Sequence, residues 1–189
     1  MERYAARPDS GGPGLHRGGC GVVRDVRVLA EKAELATRME NTVVAPYGVA
    51  GGRAGRTGRI ILNPGTPEER ELVALGDGIV LKRGDLLRFE TCGGGGWGDP
   101  LERDPERVRT DVARGFITAR GAFEDYGVAL DPATLDLDKT ATDEERRRRA
   151  RDLPLIDRGP GFEEAEARWR TFNPSSPSPP KGRGQGEGE

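Results

Sequence analysis

The stretch Ile79-Val80-Leu81-Lys82-Arg83-Gly84-Asp85-Leu86-Leu87-Arg88-Phe89-Glu90-Thr91 holds two apolar runs on either side of a glycine-containing turn. Its alternation predicts two strands joined as a β-hairpin, with Leu87 and Phe89 facing a core and Arg88 and Glu90 facing outward. The chain then enters Gly93-Gly94-Gly95-Gly96-Trp97-Gly98-Asp99-Pro100. No helix or regular strand tolerates glycine at that density, so a loop follows the hairpin.

Upstream, residues 22–29 read as a strand, with Val26 and Val28 alternating against Asp25 and Arg27. Leu35, Thr37 and Met39 alternate against Glu34 and Arg38, and Ala30-Glu31-Lys32 would turn a second hairpin. Ile60-Ile61-Leu62 is strand-sized, bounded by the glycines at 48, 51, 52, 55 and 58 and by Asn63-Pro64-Gly65. The first segment, from Arg7 to Gly21, is another glycine-rich loop, read as ordered because Arg7, Asp9, Ser10 and Arg17 can fix it by hydrogen bonds.

Downstream the period becomes helical. Asp104 is placed to cap a helix, with Pro105 in its first turn, Val108 and Val112 on one face and Gly115 to end it. A second helix is expected from Thr118 to Gly127, with Ile117 stapled to Ala122 and Phe123 and Tyr126 packed inward. Thr142 and Glu145 have capping-box spacing for a third, which runs into Arg146-Arg147-Arg148-Arg149 and exposes charge on every side. The fold class is α+β: a β-rich half over 22–91 with long glycine-rich loops, followed by short helices. Residues 173–189 read as a disordered tail.

The chain has 189 residues, of which 34% are apolar and 33% charged, so core material is scarce and independent folding is doubtful. With 30 basic and 32 acidic residues, it presents no general attraction to nucleic acid or to an anionic membrane. No apolar run approaches the roughly 20 residues needed to span a bilayer. Cys20 and Cys92 stand apart, and Met1-Glu2-Arg3-Tyr4 opens no signal peptide, so a reducing cytoplasm is expected.

The glycine loops invite a phosphate-binding reading. However, residues 93–98 lack a Lys-Ser/Thr ending and run into Asp99-Pro100 rather than a helix, so a tight structural loop is preferred. His16 is the only histidine, which excludes a histidine pair within this chain. Cys20 and Cys92 read as structural or incidental. Arg7, Asp9, Ser10 and Arg17 form the densest polar loop cluster and are candidates for substrate binding or a subunit contact, together with Gly94 and Gly95. The alternative is that Asp9 and Ser10 cap turns while the arginines pair with acidic groups.

Taken in order, Arg7-Pro8-Asp9-Ser10-Gly11-Gly12-Pro13-Gly14, Arg17-Gly18-Gly19-Cys20-Gly21, Gly48-Val49-Ala50-Gly51-Gly52, Leu62-Asn63-Pro64-Gly65, Gly84-Asp85 and the run from Gly93 to Pro100 closely resemble the C-terminal region of the hydantoinase B/oxoprolinase family. Asp125-Tyr126-Gly127-Val128 looks like that family's following helical segment. The resemblance covers residues 1–130, weakens over a helical extension at 131–172 and is absent from the tail. Cys92 departs from the pattern, since proline or a small residue is commoner there. Family members are several times longer, which implies a fragment of a larger fold.

The resemblance also implies a hydantoinase A-type ATP-binding partner, the missing N-terminal part of the same subunit, and ATP-driven opening of a cyclic amide such as a hydantoin or 5-oxoproline. A lactam is a poor electrophile; phosphorylating its carbonyl oxygen creates a leaving group and makes attack by water feasible. Related ketone carboxylases apply the same logic to an enolate and bicarbonate. ATP and a divalent metal are implied for the complete enzyme, with metal ligands in the preceding region, no cofactor held by this chain and no catalytic residue assigned in it. A noncatalytic scaffold piece, inactive alone, is the competing expectation.

Overall fold

The computed structural model describes residues 1–149 and 153–172. Among them the β-rich half holds β1 (Arg3–Ala6), β2 (Val22–Arg27), β3 (Lys32–Arg38), β4 (Gly48–Val49), β5 (Arg59–Leu62), β6 (Arg70–Leu72), β7 (Leu75–Lys82) and β8 (Leu86–Glu90). A 3-10 turn at Pro100–Glu102 leads to α1 (Pro105–Ala113), α2 (Ala119–Tyr126), α3 (Lys139–Arg148), β9 (Ile156–Asp157) and α4 (Phe162–Phe172). The α+β class expected from the sequence is the observed one.

Both predicted hairpins are absent. Instead β2 pairs with β8, Val23 opposite Glu90 through Arg27 opposite Leu86, and β3 pairs with β7, Lys32 opposite Lys82 through Arg38 opposite Leu75. Between the two ladders the Val28 N–H donates to the Asp85 carbonyl and the Gly84 N–H to the Val28 carbonyl. Residues 22–38 and 75–90 are therefore one antiparallel ribbon with a corner in the middle. The breakers that look like two turns in the sequence lie across from each other and bend both strands at the same level. Gly84 takes φ +91° there, a conformation that costs glycine little. The Asp85 carboxylate holds the corner, accepting from the Lys82 N–H at 2.9 Å and from Asn63 Nδ2 at 3.0 Å.

The corner explains the core. β2 and β8 join a five-stranded sheet in the order β1-β2-β8-β5-β6, while β3 and β7 form a separate pair. Ile60, Leu62, Leu72, Leu81 and Leu87 are buried together, with Leu35, Ile79 and Phe89 packed on them. Each such side chain contributes about 1.5–3 kcal/mol when fully buried. A flat hairpin would leave that face of the sheet uncovered. Glu90, expected outward, is instead buried and lies 2.8 Å from Arg59 Nε and 3.3 Å from Arg7 Nη2.

The helical part matches its local signals. The Asp104 side chain accepts from the Glu106 N–H at the start of α1, and the Thr118 side chain accepts from the Gly121 N–H at the start of α2, which ends at Gly127 with φ 63°. Val108, Ile117, Ala122, Tyr126 and Val128 form a second core. Phe123 does not join it; it is 45% exposed with Arg149 over its ring.

The third helix starts a turn earlier than its capping-box spacing suggests, because the Asp138 side chain accepts from the Ala141 N–H. Thr142 lies inside it, buried, and its hydroxyl accepts from the Ala129 N–H. Its arginines are not uniformly solvated. Arg146 donates to the carbonyls of Tyr126 and Arg103, and Arg149 to those of Phe123 and Glu124, so the two guanidinium groups satisfy the C-terminal end of α2. The extension over 131–172 is not purely helical either, since β9 pairs antiparallel with β4. The tail expected to be disordered lies outside the described residues.

Candidate functional site

The three glycine-rich loops, far apart in sequence, assemble into one layer between the two cores. Residues 93–98, 10–21 and 46–56 each bond to both of the others. The Gly12 N–H donates to Gly94, Gly94 to Gly19, Gly96 to Arg53, Arg53 to Pro13, and His16 and Trp97 exchange two bonds. Side chains have no room. A Cβ on Gly93 would stand 1.9 Å from the Ser10 carbonyl oxygen, on Gly95 1.8 Å from that of Tyr47, and on Gly96 2.0 Å from that of Pro13. The backbone itself is the packing surface, as where chains meet at a crowded axis. The N–H groups of Gly93, Gly94, Gly96, Trp97 and Gly98 all donate within the layer, so residues 93–98 do not form a cradle for phosphate.

Most of the candidate polar residues hold this layer in place. Arg7 reaches the carbonyls of Thr57 at 2.6 Å and Thr91 at 3.2 Å and pairs with Glu90. Burial pulls its pKa below the ordinary arginine value, with Arg59 and Arg56 adding to the effect and Glu90 opposing it. Ser10 is fully buried; its hydroxyl donates to the Arg7 carbonyl and accepts from the Gly21 N–H. Arg17 packs over Phe116 and donates to Asp111 at 3.1 Å, where Arg103 also converges at 2.9 Å. Burial works against the Arg17 charge, but the hydrogen bond and charge of Asp111 outweigh it and raise its pKa. Asp111, on α1, thus gathers two arginines and is one of the ties between the first glycine loop and the helices. Nothing in its local sequence signals that role.

Asp9 and Asp125 differ in character. Asp9 takes φ 55°, and its carboxylate accepts from the Thr118 N–H at the start of α2. Asp125, on the exposed side of the same helix, is pushed above the usual carboxylate range by desolvation and by the negative charge of Asp9, against the pull of Arg56. Two motifs more than a hundred residues apart thus place two carboxylates within electrostatic reach of each other.

Gly94 and Gly95 are adjacent but not equivalent. Gly95 is glycine because nothing larger fits. Gly94 is exposed, and the nearest heavy atom to an added Cβ lies 3.4 Å away; at Gly19 nothing lies within 4 Å, and neither residue has positive φ. Among the described glycines these two alone are explained neither by crowding nor by conformation, and they are bonded to one another. They leave a stretch of bare backbone open at the surface.

Residues 1–100 match the family model described as hydantoinase B/oxoprolinase. The chain is 34% identical over 144 residues to a protein of Pseudomonas sp. (strain NS671) named as the B-type subunit of a D-/L-hydantoinase, covering 74% of this chain and 24% of that one. Among solved structures, it is similar to an ATP-dependent caprolactamase of Pseudomonas jessenii, with TM-score 0.56 and 25% identity over 78% of this chain and 26% of that one. A nucleotide-free acetone carboxylase shares the fold, with TM-score 0.58 and 19% identity over 92% of this chain and 27% of the other. The chain belongs to the hydantoinase B/oxoprolinase family. It spans about a quarter of the length of these relatives.

Proposed function

We propose that this chain is the C-terminal part of a B-type subunit of an ATP-dependent cyclic-amide hydrolase, opening a hydantoin or 5-oxoproline ring, and that it is inactive alone. Family membership supports the class. The observation that carries the site assignment is the open pair Gly19 and Gly94, bare backbone at a place where this chain's own packing does not demand it. A substrate or a neighbouring subunit approaching the backbone closely accounts for glycine there. In this reading Arg7, Ser10, Arg17 and Gly95 shape the layer, while Asp9 and Gly94 face what docks on it. ATP and a divalent metal belong to the complete enzyme, with ATP on a hydantoinase A-type partner. Among the described residues no group of three His, Cys, Asp or Glu side chains is placed to hold a metal ion. Among them no helix is long and apolar enough to cross a membrane. The proposed site of action is the cytoplasm.

The test is reconstitution. The chain is combined with the preceding segment of a B-type subunit and an A-type subunit, and phosphate release from ATP is followed with hydantoin or 5-oxoproline present. Ring opening coupled to phosphate release, absent when the chain is left out, is the expected result. Turnover only with a ketone and bicarbonate would assign it to the carboxylases, whose solved member shares the fold. Assembly without turnover on either substrate class would make it a scaffold piece.

A further inference from the structure

We infer that a cavity beside the C-terminal end of α2 is a binding site for a small oxyanion, a molecule bearing phosphate or carboxylate. The cavity has a volume of about 580 Å³ and is lined by Leu101, Asp143, Arg146, Arg147 and Arg149. That volume lies within the roughly 300–1,000 Å³ usual for small-molecule sites. None of these residues belongs to the glycine layer, and all lie beyond residue 100, where the match to the family model ends. Among the described lining residues, three guanidinium groups face one carboxylate.

Two of the guanidinium groups are fixed before any ligand arrives. Arg146 donates from Nε to the Tyr126 carbonyl at 3.0 Å and from Nη2 to the Arg103 carbonyl at 2.8 Å. Arg149 donates to the carbonyls of Glu124 and Phe123 and lies over the Phe123 ring. Groups already held in one geometry lose little further freedom on binding. Their charges are less well served than their donors, because a carbonyl accepts a hydrogen bond without supplying a full negative charge. Glu145 pairs with Arg148 and Arg149. Among the described residues neither Arg146 nor Arg147 has a carboxylate in ion-pair contact, and Arg147 bonds through Nε to the Asp143 carbonyl in its own helix.

Burial, with the charge of Arg149 adding to it, pulls the Arg146 pKa below the ordinary arginine value, against Asp143, Asp99 and Asp104. A half-buried cation with only neutral partners is stabilised by an incoming anion. The remaining donors, Nη1 of Arg146 and both Nη groups of Arg147, suit the oxygens of phosphate or carboxylate. Among the described lining residues only Leu101 is apolar, so an uncharged apolar ligand would leave those donors unpaired.

The test titrates the full chain with sodium phosphate and, separately, with sodium succinate, at an ionic strength held constant with sodium chloride. Backbone amide and arginine Nε–H signals are followed by NMR. The expected result is a saturable shift centred on Leu101 and residues 143–149 with at least one of the two anions, the tighter one naming the source. Arg147→Ala should weaken that binding at least fivefold without unfolding the chain. Asp143→Asn removes the opposing carboxylate and should tighten it at least twofold. Arg148→Ala, on the same helix but outside the cavity, should bind as the parent does. Shifts that rise linearly with both anions, or that saturate elsewhere in the chain, would overturn the assignment. So would equal weakening by Arg147→Ala and Arg148→Ala, which marks general attraction to a basic helix end rather than a site.

Discussion

Gly94→Ala and Gly95→Ala place the same methyl group at neighbouring positions of one motif, with opposite consequences expected for stability. At Gly95 the new Cβ would lie 1.8 Å from the Tyr47 carbonyl oxygen, and the next contacts are also backbone, 2.5 Å to the Tyr47 carbonyl carbon and 3.0 Å to the Gly48 nitrogen. Backbone cannot rotate away as a side chain can, so relief means moving residues 46–56 and giving up bonds such as Val49 N–H to the Gly96 carbonyl. Overpacking costs about 1–3 kcal/mol, and each lost hydrogen bond adds about 1 kcal/mol. Gly95→Ala should therefore destabilise by roughly 3 kcal/mol or more, from these two terms together. At Gly94 the added Cβ meets its first atom at 3.4 Å, an ordinary contact, and the alanine reduces unfolded-chain entropy by about 0.4–1 kcal/mol. Urea unfolding is the assay. With a slope of about 2 kcal/mol per molar, the Gly95 variant should lose about 1.5 M of midpoint while the Gly94 variant stays within about 0.5 M of the parent. In the reconstituted enzyme, Gly94→Ala should still lower activity or assembly. Equal destabilisation of the two variants would refute the glycine-layer argument.

Acid should unfold the protein in a particular window. Asp25 is held below the usual carboxylate range by its hydrogen bonds to Arg88, and Asp85 by its bonds to the Lys82 N–H and to Asn63. Their contribution is present above the unfolded carboxylate value near 3.9 and is lost as pH falls through the depressed folded values. Urea titrations from pH 7 downward should show Asp85→Asn costing about 1–3 kcal/mol at pH 7 and progressively less once the pH falls below the unfolded carboxylate value. Asp125 carries the opposite sign. Its folded value is raised, so its ionisation opposes folding as pH rises past the unfolded value; because the residue is exposed, Asp125→Asn should raise stability only slightly at pH 7 and not at pH 3. Arg146→Ala removes two bonds to carbonyls of Tyr126 and Arg103 and should lower the thermal midpoint by several degrees, about 1.5–3 kcal/mol for charged donors. Arg147→Ala removes only a bond to Asp143 within the same helix, and its melt should match the parent.

The helices α1 and α2 were legible because their signals are local: Asp104, Pro105, Thr118 and Gly127 act within a turn of where they stand. The ribbon was not. Arg83-Gly84-Asp85 and Ala30-Glu31-Lys32 have the composition of turns, and only the pairing of residues some fifty positions apart shows them to be two sides of one corner. Thr142 misled for a related reason: an isolated hydroxyl spacing cannot reveal that Asp138 caps first and that Ala129 needs an acceptor. In the glycine layer the sequence suggested ordered, tight structural loops. It could not separate Gly95, which is crowded, from Gly94, which is open, nor identify Asp111 as the anchor of Arg17, because those distinctions depend on partners from other loops.

A layer built from glycine backbone has almost no oily surface with which to drive its own collapse. Its hydrogen bonds can form only once the β core and the helical core have brought residues 10–21, 46–56 and 93–98 within reach, and those segments carry the largest chain entropy to lose. The layer should then be among the last parts to become ordered during folding, and its amide hydrogens should exchange only when one of the two cores that hold it opens. The layer thus behaves as the keystone of an arch, held by what stands on either side of it.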